Sequence, residues 1–412
     1  MGSKIENYNN RENSLSPIQR FSKVLSAAHT DYYSATLEAV VSLCAEISER
    51  AGEGERNARL PADIVDRLGN AGIFRMMVPK ALGGDSLSPE QVSAVIEELA
   101  SADAAAAWTA MVAVGFNIMM SRFPQETVST IYKNGPDVRM RGAIAPMGKA
   151  VKVEGGYMIS GRWPFGSGPY DPEWMLGGCI LQEDGKPVMG ARGPKSFIAL
   201  FPAEHVEFLD TWDTVGLNGT DSRDYTITDV FVPDNHTADL FDFSLPNTFG
   251  EALFDLPFPM LAGPTHSSVC LGILRGALQE LTVLAKTKKS ANNPTVTLAE
   301  SDVFGYRLTE LSVRYAALDA LHAEQIKGLR RFVSGTDVFN PAVHLPRGAC
   351  WAGYIHQETT QLMNEIVELG GSVAVYKKSR LQQRWRDARV AAAHSAGSKG
   401  QYSNYGTALA NA

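Results

Sequence analysis

The chain is poor in cysteine and has no long apolar run, and both absences narrow its class. Its four cysteines, at positions 44, 179, 270 and 350, lie far apart and form no CxxC pair. This spacing argues against a disulfide framework or a zinc ribbon and is typical of reduced thiols. No stretch approaches the roughly 20 uninterrupted apolar residues of a membrane span, and the polar amino terminus has no signal-peptide core. We therefore expect a cytoplasmic protein that has no membrane partner.

The sequence also lacks a concentrated basic surface and the common nucleotide and metal motifs. The net charge is -7 and the basic residues are scattered, so no nucleic-acid partner is expected. No G-x-G-x-x-G opens a βαβ unit and no G-x-x-x-x-G-K-[ST] occurs, which argues against a Rossmann site or a P-loop. The eight histidines form no H-E-x-x-H or comparable cluster, so no metal is expected.

What is present is a folded chain with three regions of different character. Hydrophobic residues make up 44% of the sequence, which predicts a globular fold. The first region carries apolar residues at helical spacing, such as Val92, Val95, Ile96 and Leu99. The middle region is rich in glycine and proline and has short apolar runs, which predict a small antiparallel sheet or barrel. Helical spacing then returns, so the pattern by itself predicts the α+β class.

Short motifs in a fixed order resemble the acyl-CoA dehydrogenase superfamily. They run from GIF (72–74), VP (78–79), LGG (82–84) and EELA (97–100), through GGY (155–157), SGRW (160–163) and VGLNGT (215–220), to VFVP (230–233). Each motif alone is weak, but their shared order is specific. The resemblance implies an N-terminal helical domain over 1–139, a central antiparallel β-domain over 140–245 and a C-terminal four-helix bundle over 246–412.

The segment LQQRWRDARVAAAHS (381–395) resembles the last core helix of that superfamily, whose motif reads roughly RDARI…YEG. In the desaturating members, the glutamate of YEG abstracts the substrate proton. When the motif is aligned on Arg386 and Asp387, the place of the glutamate falls on Ser395 and its neighbour is His394. No Asp or Glu follows Asp387. This pattern resembles the two-component, reduced-flavin-dependent (group D) monooxygenase branch.

That resemblance implies an oxidoreductase, a flavin-dependent monooxygenase of the cytoplasm that assembles as a homotetramer. It would take reduced flavin (FMNH2 or FADH2) from a separate NAD(P)H:flavin reductase. With O2, it would hydroxylate a small aromatic substrate, such as a phenol, an indole or a polyketide, through a C4a-hydroperoxyflavin. The sequence decides neither the substrate, nor FMN against FAD, nor whether carbon, nitrogen or sulfur is oxygenated.

Three alternatives stay open on the sequence alone. The same chemistry can N-hydroxylate an amine or an amino sugar. The chain can also be an acyl-CoA dehydrogenase or oxidase whose base has moved elsewhere, and Glu251 is the first candidate for that base. Finally, it can be a relative without catalytic activity, which would bind neither oxidised nor reduced flavin.

The motif WPFGSG (163–168) resembles the flavin-contacting segment of the monooxygenase branch. Aromatic Trp163 and Phe165 can wall the isoalloxazine ring. Gly166 and Gly168 allow backbone N–H groups to approach that ring. The resemblance implies that Ser167 lies near flavin N5, as a catalytic and cofactor-binding residue. The alternative is a tight strand end with an ordinary turn serine.

The resemblance implies that His394 is catalytic, because a histidine near this place serves that branch as an acid/base or orients the oxygen adduct. An imidazole exchanges protons near neutral pH, although a histidine at a helix end is often structural. We also expect His394, with Trp108 and Asn117 of the first region, to contact the substrate. Asn117 stands where some phenol hydroxylases carry a histidine, and an amide is a poor base. Three further residues are candidates for cofactor binding, with turn or helix-cap roles as the alternative: Thr220, Gly370 and Gly371.

Overall fold

The structure is a computed structural model that describes residues 33–191, 193–242, 246–290 and 293–411. Two features of the sequence interpretation therefore lie outside the described residues, namely the polar amino-terminal segment and the expected boundary between residues 245 and 246. Within the described residues the order of elements is helices, then a sheet, then helices again. The predicted α+β class is confirmed.

From residue 33 onward, where the description begins, five α-helices precede the sheet. They are α1 (Ala35–Arg56), α2 (Ala62–Asn70), α3 (Pro89–Ala102), α4 (Ala104–Met120) and α5 (Gln125–Ile131). Ser88 and Gln91 form a capping box at the start of α3, which satisfies two backbone donors. Asp103 ends α3 and caps α4, because its carboxylate accepts from the Ala106 N–H at 3.1 Å. Helix α4 is apolar on nearly all sides and is buried as the central helix of this region.

The middle of the chain forms a twisted sheet and a separate two-stranded ribbon, β5–β6. The strands are β1 (Met140–Val153), β2 (Gly156–Trp163), β3 (Trp174–Glu183), β4 (Lys186–Pro187), β5 (Met189–Gly190), β6 (Gly193–Pro194), β7 (Ser196–Pro202), β8 (Glu207–Phe208), β9 (Tyr225–Pro233) and β10 (Thr237–Ala238). The main sheet has the order β10-β7-β3-β1-β2-β9-β8, and β4 pairs with β3.

The prediction of a wholly antiparallel sheet is wrong in one pairing. Strands β1 and β2 form an antiparallel hairpin, whereas β3 lies on the other side of β1 and runs parallel to it. The segment 164–173 makes this possible because it carries the chain across from β2 before β3 begins. The WPFGSG motif is therefore part of a crossover between strands that are not neighbours, which places it at the edge of the sheet that faces the helices.

Helices return after the sheet and form the expected bundle. They are α6 (Phe258–Ala285), α7 (Asp302–Val333), α8 (Pro341–Gly370), α9 (Arg380–Ala392) and the short α10 (Tyr402–Ala410). By length and composition α6 could cross a membrane, but 78% of its most apolar window is buried inside the protein. The core helix of a soluble bundle has the same properties, so this feature is weak evidence for a membrane.

The three regions meet at α4. One hydrophobic core joins the N-terminal helices to the C-terminal bundle, and the sheet has a core of its own. Helix α4 contacts α6, α9 and β1. A side chain on the face of α4 that is turned towards these elements can therefore contact both the sheet and the bundle. Trp108 is on that face.

Candidate active site

Trp108 is the residue at which the three regions converge. Its indole N–H donates to Ser167 Oγ at 3.4 Å, in the crossover after β2. Its ring lies edge-on to His266 of α6 and to His394 after α9, with centroid distances of 5.8 and 5.7 Å. We call these four side chains the Trp108 cluster. The cluster brings together three residues that the sequence singled out and adds His266, which it did not.

The two histidine rings of the cluster are stacked, and each neutral ring carries its hydrogen on a different nitrogen. Their ring centroids are 4.4 Å apart and the rings are inclined by 21°. The Nδ1 of His266 lies 3.0 Å from the Ala262 carbonyl oxygen, which only accepts, so this Nδ1 carries the hydrogen. The Nδ1 of His394 instead accepts from the Ala396 N–H at 3.2 Å, so the hydrogen of that neutral ring is on Nε2.

Both rings are neutral at ordinary pH. Burial, and then the neighbouring imidazoles of His266 and His356, lower the pKa of His394 to about 3. Burial also lowers the pKa of His266, and the bond to Ala262 opposes it only in part. The idea that His394 exchanges protons by titrating near neutrality is therefore inconsistent with its surroundings. As placed here, it is a neutral hydrogen-bond donor.

A third imidazole lies behind the pair. His356 on α8 is fully buried, and in the described part of the chain neither of its ring nitrogens has a hydrogen-bond partner. It packs on Gly397, where an added Cβ would come within 2.7 Å of its Nδ1. Burial and His266 lower the pKa of His356 to about 3, so this ring is also neutral. Burying an unpaired imidazole is costly, and such groups are most often retained where they serve a site.

A chain of hydroxyl groups extends the cluster into the sheet. Ser167 Oγ lies 2.8 Å from Ser222 Oγ, and Ser222 Oγ lies 2.9 Å from Thr220 Oγ1. Thr220 in turn donates to the Leu217 carbonyl at 2.8 Å. Because a hydroxyl both donates and accepts, this chain can rearrange to serve a ring nitrogen or a carbonyl of a ligand. It places Thr220, a candidate from the sequence, two hydroxyl groups away from Ser167.

The backbone around Ser167 is held in a conformation that needs its glycines. Phe165 has φ 59°, and Gly168 has φ 143°. A Cβ on Gly168 would come within 2.7 Å of the Met140 carbonyl oxygen, so only glycine fits there. The Gly142 N–H donates to the Ser167 carbonyl at 3.0 Å, which ties the crossover to β1. Ser167 is thus rigidly presented, as a functional side chain should be.

A buried arginine, Arg141, also holds the loop that carries Ser167. The Nε of Arg141 donates to the Gly166 carbonyl at 2.6 Å, and its Nη1 lies 3.3 Å from Asp221 Oδ2. Arg59 and Arg223 also pair with Asp221, at 3.1 and 2.7 Å. Burial lowers the pKa of Arg141 to about 10, so the guanidinium stays charged. This ion network joins the Ser167 loop to the segment that carries Thr220 and Ser222.

An open cleft of about 770 Å³ borders this network, lined in part by Arg59, Trp212, Asp221 and Arg223. Phe165 packs edge-on against Trp212, with ring centroids 6.2 Å apart, and remains 65% exposed. Its aromatic face is therefore available to a ligand or to another subunit. The volume is within the range of small-molecule sites.

Trp163 is a core residue and does not face a ligand. It is fully buried, stacks on Tyr225 at 5.2 Å and donates from Nε1 to the Gly178 carbonyl at 2.7 Å. A Cβ at any of three glycines would lie within 3 Å of its indole ring: Gly148, Gly161 and Gly177. The expected role as a wall against the flavin is inconsistent with this placement, because neither face of the indole is open.

Asn117 also lies away from the cluster. It follows Trp108 by nine residues on α4, which is roughly 14 Å along the axis and half a turn around it. Its Nδ2 donates to the Phe74 carbonyl at 3.2 Å, and the residue is buried among the N-terminal helices. The expected substrate contact of Asn117 is therefore inconsistent with the structure. Asn117 matches the phenol-hydroxylase histidine in sequence position, but its side chain does not reach the Trp108 cluster.

Gly370 and Gly371 lie at the far end of α8, roughly 20 Å along that helix from His356. The Gly370 carbonyl accepts from Lys288 at 2.5 Å. Gly371 follows the last turn of α8 with φ 56° and ψ -144°, a conformation that glycine adopts readily. Within one protomer they cap α8 and do not approach the Trp108 cluster. Flavin contact by this loop would therefore have to be made with another subunit.

Asp387, the acid of the RD pair, connects the last helix to the sheet segment. Its Oδ1 accepts from the Leu217 N–H at 2.7 Å, directly before the stretch that carries Thr220 and Ser222. Burial, and then the nearby Asp103, raise the pKa of Asp387 to about 7. This position makes Asp387 an anchor for the hydroxyl chain and not a group that meets a substrate.

Among the described residues, no carboxylate contributes to the pKa shifts of the two cluster imidazoles or of His356. The pKa values of His266, His356 and His394 respond to burial, to one another and to a backbone carbonyl. Glu251, the candidate for a relocated base, instead accepts a hydrogen bond from Ser86 at 3.0 Å. The site therefore offers neutral donors and acceptors beside an indole. Glu251 therefore lies among described contacts that do not include these imidazoles, and the desaturating chemistry, which needs a carboxylate base, has no support from this candidate.

Sequence reasoning missed His266 and His356. No local motif marks either of them, because His266 stands between Thr265 and Ser267 on α6 and His356 stands among other polar residues of α8. A histidine without a motif around it most often has a structural role. Only the packing of α6 against α8 and α9 shows that these rings face His394.

Comparison with known proteins agrees with the fold. The acyl-CoA dehydrogenase N-terminal domain matches residues 31–130, and the acyl-CoA dehydrogenase C-terminal domain matches residues 264–399. The two domains together cover more than half of the 412 residues. The chain belongs to the acyl-CoA dehydrogenase family.

Its relatives include enzymes that oxygenate. The chain is 29% identical over 357 residues to the indole-3-acetate monooxygenase of Acinetobacter baumannii, covering 86% of this chain and 89% of that protein. It is 27% identical over 366 residues to the FADH2-dependent resorcinol hydroxylase, oxygenase component, of Rhizobium sp. strain MTP-10005, covering 84% and 86%. The crystal structure of 3-HSA hydroxylase from Rhodococcus sp. RHA1 superposes with a TM-score of 0.83 at 24% identity, covering 92% and 97%. The first two relatives are named as a monooxygenase and as an FADH2-dependent hydroxylase, in agreement with the branch that the missing glutamate indicates, and the third shows the same fold.

Proposed function

We propose that the protein is the oxygenase component of a two-component flavin monooxygenase. It takes reduced flavin from a separate NAD(P)H:flavin reductase and hydroxylates a small aromatic compound with O2. The observation that carries this proposal is the Trp108 cluster. It joins Ser167, in the motif that resembles a flavin-contacting segment, to two neutral imidazoles. No described carboxylate contributes to the pKa shift of either imidazole.

The residues near Ser167 fit a flavin ring by their chemistry. The hydroxyls of Ser167, Ser222 and Thr220 are neutral groups that suit the nitrogens and carbonyls of an isoalloxazine. Phe165 offers an exposed aromatic face beside them. When bound, the flavin supplies the activation of O2, which protein side chains cannot perform. The protein holds the ring, orients the substrate and limits the access of water.

His394 is the group that we place at the substrate. Its Nδ1 accepts from the Ala396 N–H, so the hydrogen of the neutral ring is on Nε2, and no hydrogen bond within the described part of the chain uses that Nε2–H. A neutral donor held against Trp108 can orient an oxygen or nitrogen atom of the substrate without becoming charged itself. Proton movement at this site then runs through hydrogen-bonded groups and does not require an imidazolium.

Three features of assembly and location are part of the same proposal. We place the protein in the cytoplasm as a homotetramer, with FMN or FAD as the flavin. The exposed side chains of Val303, Tyr306 and Val313 on α7 support self-association, being 71%, 66% and 64% exposed. Tetramer formation would also bring a second subunit to Gly371. Light scattering coupled to gel filtration would show four chains, and a monomer at micromolar concentration would contradict the assembly.

The decisive test supplies reduced flavin from an unrelated reductase with NADH, in an atmosphere of 18O2. Indole, indole-3-acetate and resorcinol serve as probe substrates. We expect a product whose mass has increased by one 18O atom, and no product when the reductase is left out. A matched incubation with a set of acyl-CoA thioesters and an external electron acceptor tests desaturation. Desaturation without a reductase, or no 18O in any product, would overturn the proposal.

A further inference from the structure

The tautomer of His266 leaves one acceptor unused at the centre of the site. Its Nδ1–H is fixed by the Ala262 carbonyl at 3.0 Å, so the lone pair of the neutral ring is on Nε2. The residue is half-buried, and its ring is stacked on His394 and lies edge-on to Trp108. No hydrogen bond engages its Nε2 among the described residues. An acceptor that is held rigidly but left without a partner is a typical ligand-recognition group.

His394 presents the opposite hydrogen-bonding group next to it. Its Nδ1 is used by the Ala396 N–H at 3.2 Å, which leaves an N–H at Nε2. Because the two rings are stacked at 4.4 Å, their edge nitrogens do not point at one another and cannot pair. The pair therefore shows a ligand one free acceptor and one free donor. The edge-on indole of Trp108 beside them suits a flat aromatic molecule.

We propose that His266 is a specificity-determining residue. Its Nε2 accepts a hydrogen bond from an O–H or N–H group on the ring of the aromatic substrate. The inference rests on the proposed function and deepens it, because it names the substrate class as uncharged aromatic rings with a ring hydroxyl or a ring N–H. An isostere that carries an ether oxygen or a fluorine in that place would set a lone pair against the lone pair of Nε2.

The test measures equilibrium binding, so it needs no turnover. The full-length protein, with oxidised flavin added, is titrated with two isosteric pairs by calorimetry or equilibrium dialysis. Indole is compared with benzofuran, and phenol is compared with fluorobenzene. Each pair differs in the donor hydrogen and adds no bulk. We expect the wild type to bind the donor of each pair about 10-fold more tightly, the effect of one neutral hydrogen bond.

Two substitutions separate the acceptor from the rest of the ring. His266→Gln keeps a carboxamide oxygen near the place of Nε2, so it should keep most of the preference. His266→Asn keeps a donor near the Ala262 carbonyl but removes the acceptor, so the preference should fall below about 3-fold, mainly through weaker indole binding. Exposed His205→Asn is the control and should behave as wild type. If His266→Asn fails to fold, His266→Met gives a side chain of similar volume with no acceptor of that strength.

The outcomes separate this inference from the proposed function. A preference that disappears in His266→Asn supports the inference even if no probe is oxygenated. An unchanged preference in both His266→Asn and His266→Met overturns it, and so does a wild type that binds neither member of each pair or binds them equally. Incorporation of 18O by a protein with an unchanged preference would leave the proposed function standing without this role for His266. A stronger indole preference than phenol preference would identify a ring N–H as the favoured group.

Discussion

Asp387→Asn should make the protein more stable at alkaline pH, although it replaces the acid of the RD pair. Asp387 is buried, its Oδ1 accepts from the Leu217 N–H at 2.7 Å, and burial raises its pKa to about 7. An acid whose pKa is higher in the folded than in the unfolded chain is favoured by folding in its protonated form. Its contribution to stability is therefore complete below about pH 4 and is lost as the pH rises through about 7.

The magnitude follows from the size of the pKa difference. The pKa rises from about 4 in the unfolded chain to about 7, and each unit corresponds to about 1.4 kcal/mol, which gives on the order of 4 kcal/mol above pH 7. An asparagine is neutral at every pH and can keep its side-chain oxygen towards Leu217. The variant should thus match the wild type near pH 4 and exceed it progressively between pH 4 and 7. Asp103 raises the pKa of Asp387 and Arg380 and Arg386 lower it, so all three should be kept intact.

The assay is urea unfolding followed by circular dichroism at pH 4.5, 6 and 8.5, with equal protein concentrations. Asp184→Asn removes the same charge from the exposed turn between β3 and β4 and serves as the control. A stability difference that does not change with pH would refute the account of Asp387 as a buried acid. A wild type that is more stable than the variant at pH 8.5 would refute it more directly, since Asp387 would then be paired as a carboxylate.

The remaining predictions concern the site. Ser167→Ala should keep flavin affinity within about 10-fold, since one hydrogen bond is lost, but divert O2 to hydrogen peroxide, measured by a peroxidase assay; unchanged coupling would mark Ser167 as a turn residue only. Oxygenation should show no loss assignable to His394 between pH 6 and 9, because its pKa is about 3; a rate that falls with an apparent pKa near 6.5 and becomes flat in His394→Gln would contradict this. Trp163→Phe should lower the free energy of unfolding by about 1–3 kcal/mol and leave the flavin dissociation constant of the folded protein unchanged; a selective loss of flavin binding would restore its role as a wall.

The order of elements could be predicted because it depends on local periodicity and on short motifs that keep their order. The pairing of β3 with β1 could not, since the segment 164–173 carries no signal for the side of β1 on which the next strand settles. Pairing across such a crossover is decided by burial of both faces of the sheet. The prediction of an antiparallel sheet followed the hairpin at Gly155, where a local turn determines the pairing of β1 with β2.

The sequence also could not show which aromatic side chain of the WPFGSG motif is buried. The WPFGSG motif contains two aromatic residues that look equivalent as walls for a flat ring. Trp163 is enclosed because three glycines on β1, β2 and β3 leave room for its indole: Gly148, Gly161 and Gly177. Phe165 is exposed because its positive φ turns the chain outward. The difference therefore depends on residues of neighbouring strands that no motif links to the tryptophan.

The chemistry that we propose for the site depends on a contact between two distant histidines, which the sequence does not reveal. The missing glutamate indicates which function is absent from the scaffold, whereas the substrate contacts that we propose depend on the stacking of His266 on His394, residues 128 positions apart. Both rings are neutral because they are buried together, and each backbone contact fixes one tautomer. A carboxylate in this place would bind a proton taken from carbon, whereas an imidazole donor beside an imidazole acceptor holds a polar hydrogen without changing charge. In the function that we propose, the neutral pair of His266 and His394 takes the place of a charged base and orients an aromatic ring for oxygenation.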